Sequence, residues 1–239
     1  MNRRDVEIDG GRLLAYGHWG RPVLAFPSEN GEPWDWEDRG MIDALGSLLE
    51  GGRLKLYCLP SYDRESWTRG DLPLEERARR HGRYEWWVLE RLVPFVQSDS
   101  DTHELIVTGA SFGAYHAANF CLKRADLFPL AICLSGVYDV AVQGGGERGD
   151  AVYFNNPTDY VAHAHGEHLD WLRRTASLLL VCGQGQWEDT TAALDSTRRF
   201  ASLLAEKGIR HELDLWGHDV PHDWPSWRRQ IAHHLPRFL

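Results

Sequence analysis

The most restrictive feature of this sequence is a set of short apolar runs without polar alternation, separated by stretches whose apolar residues recur at helical spacing. Leu130-Ala131-Ile132-Cys133-Leu134-Ser135 and Ser177-Leu178-Leu179-Leu180-Val181-Cys182 are the clearest runs. A strand that is apolar on both faces must be covered on both faces. Helices crossing from strand to strand of a parallel sheet provide that cover. Residues 4–10 and 12–17 read as an opening hairpin around Asp9-Gly10-Gly11. Further strands are predicted at Pro22–Pro27, Leu54–Leu59, Glu104–Thr108, Leu130–Ser135, Ser177–Cys182 and Arg210–Trp216. Helices are predicted over Arg39–Leu49, Tyr84–Val96, Phe112–Arg124, Thr190–Lys207 and Trp224–Phe238, with Pro94 straining the end of the second. Residues 61–82 are polar and aromatic and read as a long loop with a helical turn.

The order describes an α/β protein with a mostly parallel central sheet flanked by helices, residues 1–239 forming one domain without a large lid. No linker rich in Pro, Gly or Ser divides it. An excursion at about 137–170, with a flexible bend at Gly144–Asp150, leaves one strand and returns before the next. Such excursions sit above the carboxyl ends of the strands, where ligands bind. At 239 residues and 43% hydrophobic the chain can bury a full-sized core.

Composition removes several classes of function. With 26 Lys+Arg against 35 Asp+Glu the formal charge is -9, which repels phosphate backbones and points away from nucleic acid. No run approaches the ~18 apolar residues of a membrane span. No apolar core follows Arg3 and Arg4, so no signal segment is expected and the expected address is cytoplasmic. Cys58, Cys121, Cys133 and Cys182 lie far apart in apolar runs and read as buried thiols. Eleven Trp is heavy use of that residue; several fall in segments that read as loops, which implies loops packed on their own apolar contacts.

Gly109-Ala110-Ser111-Phe112-Gly113 fits G-x-S-x-G between a predicted strand and a predicted helix. The turn is too sharp for side chains at 109 and 113, and it holds the Ser111 hydroxyl out as a nucleophile. Such a serine needs a histidine base and an orienting carboxylate, which in this chain order follow as acid and then histidine. The loop after Cys182 offers Glu188 and Asp189; Asp189 is the preferred acid, although it could instead cap the next helix. After the last strand stand His218 and His222. An oxyanion hole requires two N–H groups: one from Phe112, the other from Ser28 or Glu29, between which the sequence does not choose.

Taken with Phe26-Pro27-Ser28-Glu29-Asn30-Gly31, Val107 to Ala117, Leu134-Ser135-Gly136-Val137-Tyr138-Asp139 and His222-Asp223-Trp224-Pro225-Ser226-Trp227, this motif resembles the "putative esterase" branch of the α/β-hydrolase superfamily. That branch includes esterase D-like enzymes, feruloyl esterases and mycolyltransferases of the antigen 85 type; compact bacterial members are the nearest in character. The resembling segments span nearly the whole chain. The resemblance implies an α/β-hydrolase fold and a base in a His-x-Trp-x-x-Trp pattern, which only His222, with Trp224 and Trp227, satisfies. It also implies an acid placed after Cys-Gly-x-Gly and three further residues, a register that reaches Asp189 from Cys182-Gly183-Gln184-Gly185.

The expected function is therefore a serine esterase cleaving a small-molecule acyl ester through Ser111, His222 and Asp189 and an acyl-enzyme, without cofactor or metal. Acyl transfer by the same residues, or an idle hydrolase fold used for binding, are the alternatives. A homo-oligomer is left open. His163, His165 and His168 match no metal-ligand spacing and read as a solvated loop or helix end. Residues 63–67 follow a strand end and are candidates for the mouth of the site, Tyr115 and His116 read as packing under neighbouring loops, and Asn155-Asn156-Pro157 reads as a turn.

Overall fold

Alternate residues of each central strand enter two different cores, which is why their apolar runs are unbroken. Ala131 and Cys133 join one core with Val107, Leu178 and Leu180. Leu130, Ile132 and Leu134 join the other with Ile106, Leu179 and Val181. A computed structural model describes residues 2–239 and places these strands in one eight-stranded sheet. The strands are β1 (Arg3–Ile8), β2 (Gly11–Tyr16), β3 (Arg21–Phe26), β4 (Leu54–Cys58), β5 (Ile106–Ala110), β6 (Leu130–Leu134), β7 (Ser177–Cys182) and β8 (Arg210–Leu215). Their order is β1-β2-β4-β3-β5-β6-β7-β8. β2 runs antiparallel to both neighbours, and every other pair is parallel. This is the mostly parallel, helix-flanked sheet of the α/β-hydrolase fold.

The helices are α1 (Asp35–Asp38), α2 (Met41–Ala44), α3 (Gly46–Glu50), α4 (Leu74–Trp87), α5 (Val93–Ser100), α6 (Phe112–Lys123), α7 (Asp150–Tyr153), α8 (Pro157–His163), α9 (Gly166–Thr175), α10 (Ala193–Lys207) and α11 (Trp224–His234). One core is covered by α4, α5, α6, α8, α9 and α10, the other by α1, α2, α3 and α11. Gly113, Ala114, Ala117 and Ala118 are all buried, so α6 presents small residues and lies close to the sheet.

Three helical segments differ most from the sequence reading. The expected helix over Arg39–Leu49 is two short pieces, α2 and α3, separated at Leu45; α2 starts only after Gly40, whose φ is +73°, and α1 ends before the expected span. The expected loop over 61–82 already contains most of α4, because Leu74, Ala78, His81, Tyr84 and Trp87 form one buried stripe. Pro94 does not end the helix: a π-turn at Val88–Leu92 widens the backbone before it, and α5 continues to Ser100. The excursion between β6 and β7 consists of a 3₁₀ turn at Val140–Gly144 followed by α7, α8 and α9. No helix among the described residues is long and apolar enough to cross a membrane.

Candidate active site

The turn from β5 into α6 places Ser111 at φ +56°, ψ -122°, a strained backbone for a residue with a side chain. The glycines on either side are required by contact. A Cβ on Gly109 would stand 2.2 Å from the carbonyl oxygen of Gly113, and one on Gly113 would stand 2.2 Å from that of Pro27. The Ser111 N–H donates to Leu134 O at 2.8 Å, which anchors the turn to the end of β6.

His222 meets this serine from the other end of the chain. Its Nε2 lies 3.0 Å from Ser111 Oγ and its Nδ1 lies 2.9 Å from Glu188 Oε2. The loop that carries it is held at three points. The His222 N–H donates to Gln186 O at 3.0 Å, and Val220 O accepts the Gly185 N–H at 2.9 Å. The Asp223 carboxylate accepts the Ser226 N–H at 2.9 Å and caps α11. The indole of Trp227 packs edge-on against the imidazole with centroids 5.0 Å apart.

The carboxylate behind His222 is therefore that of Glu188, and the expectation of Asp189 is corrected. Glu188 is fully buried. Its Oε1 accepts the Ser135 hydroxyl at 2.6 Å and the Gly183 N–H at 3.3 Å, while Oε2 accepts the Cys182 thiol at 3.4 Å besides His222. Burial, and after it the charge of Glu188, pushes the Cys182 thiol far up, so it donates as a neutral S–H. Asp189 is exposed and accepts the Thr190 N–H, closing its own turn. The reason is the backbone before it: Trp187 lies at φ +70°, and this left-handed residue turns the loop so that position 188 points inward and 189 outward. His218 is also exposed, its Nδ1 facing Gln184 O at 3.2 Å.

Ser135 was not singled out by sequence reasoning as part of the site. It is fully buried at φ +52°, donates to Glu188, and accepts the Trp227 Nε1–H at 3.2 Å. Its sequence signals were its place at the end of an apolar strand and in the Leu134–Asp139 segment of the family resemblance. The Phe112 N–H is the first of α6 and has no partner within the helix. In the loop after β3, Gly31 N–H closes a turn on Ser28 O, and Asn30 sits at φ +57°. Burial, reinforced by the charge of Asp63, raises the Glu29 carboxyl above the usual carboxylate range. Glu29 forms no ion pair among the described residues.

Of the residues expected at the mouth, Asp63, Ser66 and Trp67 are buried, because Asp63 pairs with His116 of α6 and Trp67 packs on Phe112 and Tyr115. Asn155 and Asn156 are buried too, Asn156 bonding Asp139 and Asp159. His163, His165 and His168 are exposed, and among the described residues no group of three or more His, Cys, Asp or Glu is placed to hold a metal ion. The linked groups Ser111, His222 and Glu188 can draw a proton from the serine hydroxyl and hold the resulting imidazolium against a buried carboxylate.

The protein family described as "Putative esterase" matches residues 60–238. No curated protein sequence matches the chain. Among solved structures, a ferulic acid esterase is similar at a TM-score of 0.72 and 15% identity, over 99% of this chain and 96% of that one. An S-formylglutathione hydrolase from Staphylococcus aureus is similar at 0.68 and 16%, over 99% and 94%. MPT51 from Mycobacterium tuberculosis is similar at 0.70 and 14%, over 99% and 97%. At these identities the likeness is one of fold.

Proposed function

The chain belongs to the family described as "Putative esterase", and from that premise we propose that it hydrolyses carboxylic esters with Ser111 as nucleophile, His222 as base and Glu188 as the orienting acid. The unbroken hydrogen-bonded line from Ser111 Oγ through both nitrogens of His222 to Glu188 carries this reading. With Nδ1–H donated to Glu188, Nε2 is free to accept the serine proton as Oγ attacks the ester carbonyl. The negative charge on the carbonyl oxygen falls to the N–H of Phe112 and to that of Ser28 or Glu29. His222 then returns the proton to the departing alkoxide, leaving an acyl group on Ser111. Water, activated by the same imidazole, releases the acid and restores the serine.

No cofactor enters these steps. The same distances speak against an idle hydrolase fold, which would tolerate a base or acid out of reach of the serine. Trp187 is half exposed and adjoins both Gln186, which holds the His222 backbone, and Glu188. It offers an apolar surface for the acyl or alkyl part of a small ester. A cytoplasmic setting fits the four cysteines, all free and buried.

The test is hydrolysis of p-nitrophenyl esters of graded chain length. Ser111→Ala and His222→Ala are each expected to lower kcat by about 10⁴-fold or more with the fold intact. His218→Ala is expected to stay near wild type. Activity lost only in the His218 variant would overturn the assignment of the base.

A further inference from the structure

Outside the triad, one buried carboxylate has partners on both sides of the oxyanion site. Asp63 lies in a 3₁₀ turn after β4, Asp63–Glu65, and is 1% exposed. Its Oδ2 accepts the Asn30 N–H at 3.1 Å, and its Oδ1 faces His116 Nε2 at 3.0 Å. Asn30 follows Ser28 and Glu29 directly and holds a left-handed backbone, φ +57°. Its side chain is fixed by the Thr68 hydroxyl, which donates to Asn30 Oδ1 at 2.7 Å. The Thr68 N–H donates in turn to Asp63 O at 2.9 Å.

The other arm reaches α6. His116 is one helical turn after Phe112, and the two rings meet edge-on with centroids 5.0 Å apart. The imidazole is sealed among Phe26, His81 and Tyr84, and its Nδ1 has no partner. Among the described residues neither Lys nor Arg pairs with Asp63. A buried carboxylate without hydrogen bonds is costly, so Asp63 ties both of its partners firmly. One partner belongs to the loop of Ser28 and Glu29, the other to the helix that carries Ser111 and the Phe112 N–H.

We infer that Asp63 is a positioning residue that sets the separation of the two halves of the oxyanion hole, holding the 28–31 loop through Asn30 and α6 through His116. This rests on the assignment of that hole made above. Asp63 touches neither substrate nor reacting atoms. It acts through where the two N–H donors stand, and such donors stabilise the transition state only within a narrow distance of the oxyanion. The signature of the role is a loss in kcat with little change in KM, because the ground-state ester depends far less on that distance than the tetrahedral anion does.

The experiment measures kcat and KM for p-nitrophenyl acetate, and thermal melting, in wild type, Asp63→Asn and Asp63→Ala. The Asn side chain keeps an oxygen for the Asn30 N–H and nearly the same size. The expected result is kcat lowered about 10-fold in Asp63→Asn and about 100-fold in Asp63→Ala, with KM within about threefold of wild type. If Asp63→Ala does not fold, Asp63→Asn decides alone. A folded Asp63→Asn with kcat within about twofold of wild type, or with its loss carried by KM, would overturn the bridge. A wild type that does not hydrolyse the ester, or whose activity survives Ser111→Ala, would instead overturn the underlying esterase reading.

Discussion

Glu188 with His222 and Asp63 with His116 are the same chemical pair in two settings. Both carboxylates are buried, and both stand about one hydrogen bond from an imidazole nitrogen, at 2.9 and 3.0 Å. They differ in what the second nitrogen meets. The Nε2 of His222 reaches Ser111 Oγ, while the Nδ1 of His116 meets nothing. The His222 side chain keeps 9% of its surface open and that of His116 keeps 1%. A carboxylate–histidine pair becomes proton-transfer machinery when its free nitrogen faces a hydroxyl at an accessible edge. The same pair sealed among aromatic rings holds backbone segments together.

The support around each carboxylate differs as well. Glu188 also takes a hydroxyl, a thiol and a backbone N–H, whereas Asp63 takes one backbone N–H besides its histidine. The largest expected effect tests this side of the comparison. Glu188→Gln should lower kcat by about 10³ to 10⁴-fold, since the amide cannot hold the imidazolium. Asp189→Asn should stay within about twofold, as expected for an exposed residue outside the network. Equal losses, or a loss confined to position 189, would break the assignment.

An intermediate effect is expected at Ser135. Ser135→Ala leaves Glu188 Oε1 short of a donor and the Trp227 N–H without an acceptor, both in the interior. A loss of about 1–3 kcal/mol of stability and about tenfold in kcat is expected, read by thermal melting and ester hydrolysis. Unchanged kcat would mean that Glu188 holds His222 without this support.

The smallest effect concerns a third carboxylate, at the edge of the sheet, which has no histidine. Asp99 of α5 accepts from Arg4 of β1 and from Tyr57 of β4, and pairs with Lys55. Burial alone would raise its pKa, but the hydrogen bonds from Arg4, Lys55 and Tyr57 outweigh it and hold the carboxyl well below its usual range. The folded state therefore gives up this proton more readily than the unfolded state. The stabilisation is complete above about pH 4 and is lost as pH falls toward the folded pKa. Asp99→Asn should lower the melting temperature at pH 7 by about 3–6 °C, and the gap should narrow below pH 4. Activity at 25 °C should not change. A gap independent of pH would show that packing, and not the charge, matters at this site.

The alternation of strands and helices could be read from the sequence because β6 and β7 are apolar on both faces, a pattern that leaves few other folds open. Ser111 could be read because its motif is contiguous, and Gly109 is demanded by the backbone of Gly113 only four residues on. The choice of Glu188 over Asp189 could not. It depends on the left-handed turn at Trp187, a residue type that rarely adopts it, and on Ser135, which lies 53 positions away from Glu188 in the chain. The start of α4 was hidden because His81 and the small Ala78 fill out its buried stripe amid charged neighbours. Asp63 reads as a mouth residue because it follows a strand end. Its partners Asn30 and His116 are 33 and 53 positions away, and only their convergence makes burial possible.

The most direct measurement is the intact mass of the protein after incubation with a fluorophosphonate, in wild type and Ser111→Ala. Fluorophosphonates form a covalent bond with a serine whose hydroxyl is activated by a neighbouring base. A single adduct on the wild type and none on Ser111→Ala is the predicted result. A folded wild type that stays unmodified, or an equal adduct on Ser111→Ala, would contradict the account.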